Sequence, residues 1–175
     1  MNTILKGIRP LDYVLAGLMT AAGGYLMYQN SVAAYGPGLP HPQSTTTVTM
    51  LPFFVAVTLP ILWRRRDIVA VVGATTVATA VHVVLFGWNT RCGVVVPLSF
   101  ALAYAVGRFA TSRRDHLIGL AGILLLQVVT VARDASIDTM ISALPLTIPV
   151  GALSYAIGRF VQTRVSKKQV VAAAA

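Results

Sequence analysis

Apolar positions fall into six long blocks, covering about residues 11–28, 47–63, 67–87, 94–110, 115–131 and 139–160, and the segments between them are polar, basic or rich in glycine and proline. At a rise of about 1.5 Å per residue, blocks of this length cross or nearly cross a hydrocarbon core of roughly 30 Å. The pattern predicts an all-α integral membrane protein with six transmembrane helices in one domain, residues 1–168, followed by a short cytoplasmic tail, 169–175. Pro52 and Pro60 predict a bent second helix, because each removes a backbone donor inside the block. The 29–46 segment, with Gly36-Pro37-Gly38 and Leu39-Pro40-His41-Pro42, reads as a long irregular loop.

The polar connections set the orientation. Leu59-Pro60-Ile61-Leu62-Trp63-Arg64-Arg65-Arg66-Asp67 ends one block, places three arginines and opens the next. An arginine at a membrane helix centre costs about 2.5 to 3.5 kcal/mol, so this cluster belongs to a turn outside the hydrocarbon. Ser112-Arg113-Arg114-Asp115 repeats the order, and Arg9-Pro10-Leu11-Asp12 precedes the first block. With both termini inside, the cytoplasmic set is Lys6, Arg9, Arg64, Arg65, Arg66, Arg108, Arg113, Arg114, Arg159, Arg164, Lys167 and Lys168, leaving only Arg91 and Arg133 outside among the 14 basic residues. That asymmetry follows the positive-inside rule and predicts three consecutive hairpins, each entered from the cytoplasm. Asp12, Asp67 and Asp115 open inward-starting helices, where a carboxylate caps free amides. A competing reading of the first block is a signal peptide, with Ser31-Val32-Ala33-Ala34 as its cleavage-like end.

Composition narrows the function classes. The 175 residues are 56% hydrophobic and 11% charged, and the net charge is +9, with mean hydropathy +0.74 and pI near 10.5. In a soluble protein such basicity would point to nucleic acid; here it marks membrane topology, so the bilayer is the expected partner and nucleic acid is not. The single Cys92 excludes an internal disulfide. No Cys/His set has metal spacing, and no carboxylate pair or nucleophile with a base lies at membrane depth, so neither a cofactor nor an enzymatic activity is expected.

Tyr104-Ala105-Val106-Gly107-Arg108-Phe109 recurs fifty-one positions later as Tyr155-Ala156-Ile157-Gly158-Arg159-Phe160. With the matching Arg-Arg-Asp starts, this predicts that the second and third hairpins are parallel copies about an axis along the membrane normal. Arg108 and Arg159 then serve as equivalent anchors to headgroups, alongside Arg64, Arg65, Arg66, Trp63 and Trp88. Small residues four apart, Ala101 with Ala105 and Ala152 with Ala156, predict close helix approach.

Two polar stripes supply the candidate ligand site. Ala70, Ala74, Ala78 and His82 recur every four residues with Thr75 and Thr79 beside them, and Gln127, Thr130 and Asp134 follow helical spacing. Polar groups at membrane depth are costly unless partnered, so both stripes are expected to face inward, towards an outer mouth near Arg91, Arg133 and Asp138. The candidate ligand-binding residues are His82, Gln127, Thr130, Asp134 and Arg91, under a flexible cover supplied by the long loop. The bland alternative is hydrogen bonding between helices. His82 is the sharpest of the set, because an unperturbed imidazole titrates near neutrality.

Leu59-Pro60-Ile61-Leu62-Trp63-Arg64-Arg65-Arg66, the Tyr104-Ala105-Val106-Gly107-Arg108 exit and Ile157-Gly158-Arg159-Phe160-Val161-Gln162-Thr163-Arg164 resemble the N-terminal membrane region of actinobacterial two-component sensor histidine kinases. The likeness spans about Leu11 to Lys168. It implies a sensory module of the cell membrane, with a second copy of the chain and a cytoplasmic signalling protein as candidate partners. His41, His82 and His116 do not lie where that family carries its phospho-acceptor, and no nucleotide-binding box is present, so a natural kinase-less relative or part of a longer chain is implied. The rival reading is a six-helix substrate-binding subunit of a small-molecule, vitamin-type importer, which a deep polar central pocket would favour.

Overall fold

A computed structural model describes residues 7–32 and 38–174 of the chain, and these form helices and connecting loops with no strand. Lys6 and the Ala33-Ala34 part of the cleavage-like segment lie outside the described residues. Six α-helices follow in order: α1 (Pro10–Val32), α2 (Met50–Thr58), α3 (Ile68–Phe86), α4 (Cys92–Phe109), α5 (Arg113–Ala132) and α6 (Met140–Ala174). A 3-10 turn, Leu59–Trp63, continues α2. Where the second block is expected to bend, the helix changes type, with Pro60 in the first turn of the tighter segment.

Among the described residues, four helical segments are long and apolar enough to cross a membrane: Ile68–Phe86, Cys92–Phe109, Arg113–Ala132 and Met140–Lys167. The other two expected spans differ from these. Met50–Trp63 is a shorter apolar helix, and α1, at 23 residues, dilutes its apolar run with Asp12, Thr20, Gln29 and Asn30. The last helix is also longer than its hydropathy implied, continuing as 35 residues to Ala174, past position 160 and through the expected tail.

The helix starts follow local chemistry. Asp67 caps α3 by accepting from Ala70 N at 2.9 Å, and Ser112 and Asp115 form a reciprocal capping box on α5. Asp12 accepts from Arg9 N at 2.9 Å but does more than cap. It is fully buried and holds Arg64 and Arg65, each at 2.8 Å, tying α1 to the end of the 3-10 turn. Two of the three arginines expected to face headgroups are thus engaged within the protein.

The repeated motif lies where α4 and α6 pack backbone against backbone. A Cβ on Gly107 would collide with the carbonyl oxygen of Tyr155, and one on Gly158 would collide with that of Tyr104. Each copy of the motif therefore packs its glycine on the other copy's backbone, and only glycine permits that approach. The alanine pairs are not what brings these helices together: Ala105 is buried, but Ala152 and Ala156 are exposed. The core around this crossing includes Leu98, Leu102, Val106, Ile123 and Leu126, all nearly inaccessible.

Candidate functional site

The end of the helices that carries residues 86–92 and 130–139 holds the densest buried polar cluster. Its centre is Arg91, between α3 and α4, which is fully buried. Its Nε donates to His82 Nδ1 at 3.0 Å. Its Nη1 donates to the carbonyl oxygens of Arg133 at 2.7 Å and Asn89 at 3.4 Å, and Nη2 to that of Gly87. Gly87 and Arg133 are the C-caps of α3 and α5, so the guanidinium sits at the negative ends of two helix dipoles and occupies their unsatisfied carbonyls. Burial pulls the Arg91 guanidinium down to about 10, with Asp134 opposing the drop; it stays charged at neutral pH.

Asp134 performs the opposite task. Its Oδ2 accepts from the backbone amides of Arg91 at 2.7 Å and Cys92 at 2.6 Å, capping the start of α4, whose own N-cap residue is an arginine without a capping side chain. Its Oδ1 accepts from Ser136 N at 3.0 Å and Ser136 Oγ at 2.6 Å, and Ser136 Oγ lies 3.1 Å from Cys92 Sγ. Asn89 and Asp134 also pair by backbone. The cation and the anion each complement a helix end of opposite partial charge, and together they fasten the α3–α4 and α5–α6 connections to one another.

The described part of the long loop, residues 38–46, is pinned to this cluster rather than loose. Ser44 N donates to Trp88 O at 2.9 Å, Trp88 N donates to Ser44 Oγ at 2.9 Å, and Gln43 Nε2 donates to Asn30 Oδ1 at 2.9 Å. Asn30 Nδ2 in turn donates to Thr90 O at 2.8 Å. His41 stacks on Trp88 at 4.0 Å, which gives this tryptophan a protein partner in addition to any role at a bilayer interface. Gly87, at φ 60°, takes the left-handed turn that lets Ser44 approach.

Of the five expected ligand residues, the structure joins Arg91, His82 and Asp134 into one network and sets the other two apart. Thr130 is buried with its hydroxyl on Leu126 O at 2.7 Å. Gln127 Nε2 donates to Ser99 Oγ at 3.1 Å and Thr147 O at 3.4 Å, bridging α5 to α4 and α6. His82 packs between Phe54 and Phe86, and a ring nitrogen that accepts from a guanidinium carries no proton, so the ring stands as the Nε2–H tautomer. Protonating Nδ1 would break that bond and set two cations together, which replaces the expected titrating histidine with a fixed acceptor. On α3 the inward face is Thr75, Thr79 and His82, while Ala70 and Ala74 are exposed.

At the opposite helix ends, Arg65 lies over the Phe109 ring at 4.9 Å, as does Arg108 at 5.6 Å. Arg108 is half-buried, whereas Arg159 is exposed, with Nη1 3.2 Å from His116 Nε2. The two arginines therefore follow equivalent glycines into different surroundings. Arg66 is exposed, and Trp63 lines a groove with Pro60, Ala70 and Ala74. The residues sequence reading missed are Asn89, Asn30, Gln43, Ser136 and the carbonyls of Gly87 and Arg133; a lone arginine in a glycine-flanked connection was their only trace. Compared with models of known families, with curated proteins and with solved structures, the chain finds no match.

Proposed function

We propose that the chain is a multi-pass sensor module of the cell membrane: six membrane helices in three hairpins, both termini cytoplasmic, relaying a change at the Arg91 end through α6 to a cytoplasmic partner. The observation that carries this reading is the continuity of α6. Its 35 residues extend about 52 Å, against roughly 30 Å of hydrocarbon. One continuous helix, carrying Pro145 and Pro149 near its start, thus begins beside the buried polar network, crosses α4 at Gly158 and runs beyond the basic residues Arg159, Arg164 and Lys167. The network reaches the entry to it, since Asp134 holds Ser136 a few residues before the helix begins, and Gln127, outside the network, separately bonds Thr147 within the helix. Beyond Pro149 the helix has no further proline, so a displacement of that part carries to its far end, which is the mechanical requirement of a relay.

The test reads the far end of α6. Nitroxide labels at Arg114 and Ser166, in a Cys92→Ser background, report the distance between the α5 start and the α6 extension. Asp134→Ala, which frees the loop entering α6, is expected to shift or broaden that distribution. An unaltered distribution in a folded Asp134→Ala protein refutes the relay. Reporter fusions after Lys168 and within 38–46 test the orientation; a reporter active on the external side after Lys168 refutes the six-helix arrangement.

A further inference from the structure

At the Arg64 end, His116 in the first turn of α5 meets α6 with both ring nitrogens. Nε2 lies 3.2 Å from Arg159 Nη1 and Nδ1 lies 3.4 Å from Tyr155 Oη, while the two rings stand edge to face with centroids 5.7 Å apart. A guanidinium only donates, so the ring nitrogen facing Arg159 must present a lone pair, whichever way the ring is turned. The contact therefore requires a neutral imidazole, with Nε2 accepting from Arg159 and the proton on Nδ1 directed at Tyr155. His82 makes the same kind of bond with Arg91, in different surroundings. His82 and Arg91 are both fully buried, whereas His116 is half-buried and Arg159 is exposed, so water brings protons to this ring.

Protonation puts an N–H where the lone pair was and sets two cations 3.2 Å apart. Among the described residues, the charges acting on the ring are Arg159 from α6 and Asp115 from α5 itself, and none comes from α3 or α4. Asp115 does not replace the lost contact to α6, since its Oδ2 already accepts from Ser112 N and Thr111 Oγ1 at the start of α5. We propose that His116 is a pH-operated catch between α5 and α6: the neutral ring holds Arg159 and Tyr155, and the protonated ring lets them go. The contact is made above the titration of the ring and lost as pH falls through it, and an imidazole ordinarily titrates near 6.5. Apart from the bond of Gln127 to Thr147, His116 supplies the polar side-chain contacts of α5 with α6 among the described residues. It does so where α6 begins to run past the end of α4, so release frees the extension from Arg159 onward while the crossing of Gly107 and Gly158 stays closed. The catch works whether or not α6 relays a change from the Arg91 end.

The test places nitroxide labels at Arg114 and Ser166, both exposed, in the Cys92→Ser full chain in phosphatidylcholine nanodiscs. Distances are read at about pH 8 and about pH 5, on either side of the ordinary imidazole midpoint. With His116 present, one short distance is expected at the higher pH and a longer, broader component at the lower. His116→Gln, whose amide accepts from Arg159 and donates to Tyr155 without titrating, should keep the short distance at both, and His116→Arg should show the longer component at both. In Arg159→Gln the response should shrink, because no second cation faces the ring. The other histidines are His41 and His82, so a response that survives in His116→Gln arises at one of them and overturns the proposal. A distribution indifferent to pH with His116 present, a short distance retained in His116→Arg, or a full response in Arg159→Gln overturns it as well. Asp134 is intact in every arm, so failure of the relay from the Arg91 end leaves these outcomes unaffected.

Discussion

The two ends of the helix assembly bring chain segments together by different means. At the Arg91 end, one fully buried cation accommodates carbonyls from two helix C-termini, while Asp134 accommodates two amides at a helix N-terminus. At the Arg64 end, the α4–α6 approach is backbone against backbone at Gly107 and Gly158, and the charges form an ordinary ion pair, Asp12 with Arg64 and Arg65, whose arginines stay 12% and 22% exposed. Charge is therefore structural at both ends but unequal in consequence. Where the charged side chain is itself shut off from water, as Arg91 is, its loss leaves a gap inside the protein; where solvent reaches the pair, water takes the place of a lost partner.

The largest expected effect follows from that inequality. Arg91→Met removes the side-chain donor to the carbonyls of Gly87 and Arg133 and to the Nδ1 of His82, leaves the Arg133 carbonyl only the 3.4 Å bond from Asn89 N, and takes away a cation whose charge meets that of Asp134. Breaking a buried charge network from one side costs about 3–5 kcal/mol. Unfolding in mixed detergent micelles should show a loss of that size, with Arg91→Lys intermediate because an ammonium keeps the charge but not the planar fork. A loss below about 1 kcal/mol for Arg91→Met would place this buried arginine on the scale of a surface pair, and the contrast between the ends would collapse.

Sequence reading reached the framework of this structure because hydropathy and charge report solvent preference, and helix boundaries follow it. The α3, α4 and α5 segments lie within about two residues of their expected bounds, and Asp67 and Asp115 sit at helix starts because capping is local chemistry. What sequence did not reveal depends on contacts between segments. The Tyr-Ala-Val-Gly-Arg-Phe repeat drew attention to its arginines, yet its glycines make the crossing, since a missing side chain announces nothing until a second backbone occupies the space. Residue type alone makes His82 a titrating group, whereas Arg91, nine positions later in the chain, occupies its Nδ1. The far end of α6 was misjudged because Gln162 to Gln169 is too polar for a membrane, although the same residues form helix readily outside one.

The glycine crossing supplies the intermediate effect. Gly107→Ala and Gly158→Ala each insert a methyl group where a carbonyl oxygen stands, so α4 and α6 must separate. Overpacking of this kind costs about 1–3 kcal/mol, and the double variant should cost less than the sum, because the first separation already makes room for the second. Melting temperatures of the two single variants and the double variant measure this coupling. Strict additivity would show that the two glycines act at independent contacts, contrary to their reciprocal placement.

The smallest effect belongs to the ion pair at the Arg64 end. Asp12→Asn keeps the acceptor oxygen that meets Arg9 N but removes the charge that draws Arg64 and Arg65 to α1. Hydrogen bonds to charged groups contribute about 1.5–3 kcal/mol when both partners are buried. Here only Asp12 is buried, and the arginines recover water on release, so a loss near 1 kcal/mol is expected, in the range of exposed pairs. Ionic strength separates this contribution from packing. Raising salt from 0.05 to 0.5 M should narrow the difference between wild type and Asp12→Asn, because screening weakens partly exposed charges, and should leave the Arg91→Met difference nearly unchanged, because ions do not reach that network. If salt narrows both differences equally, Arg91 is solvated after all, and the two ends hold together by the same means.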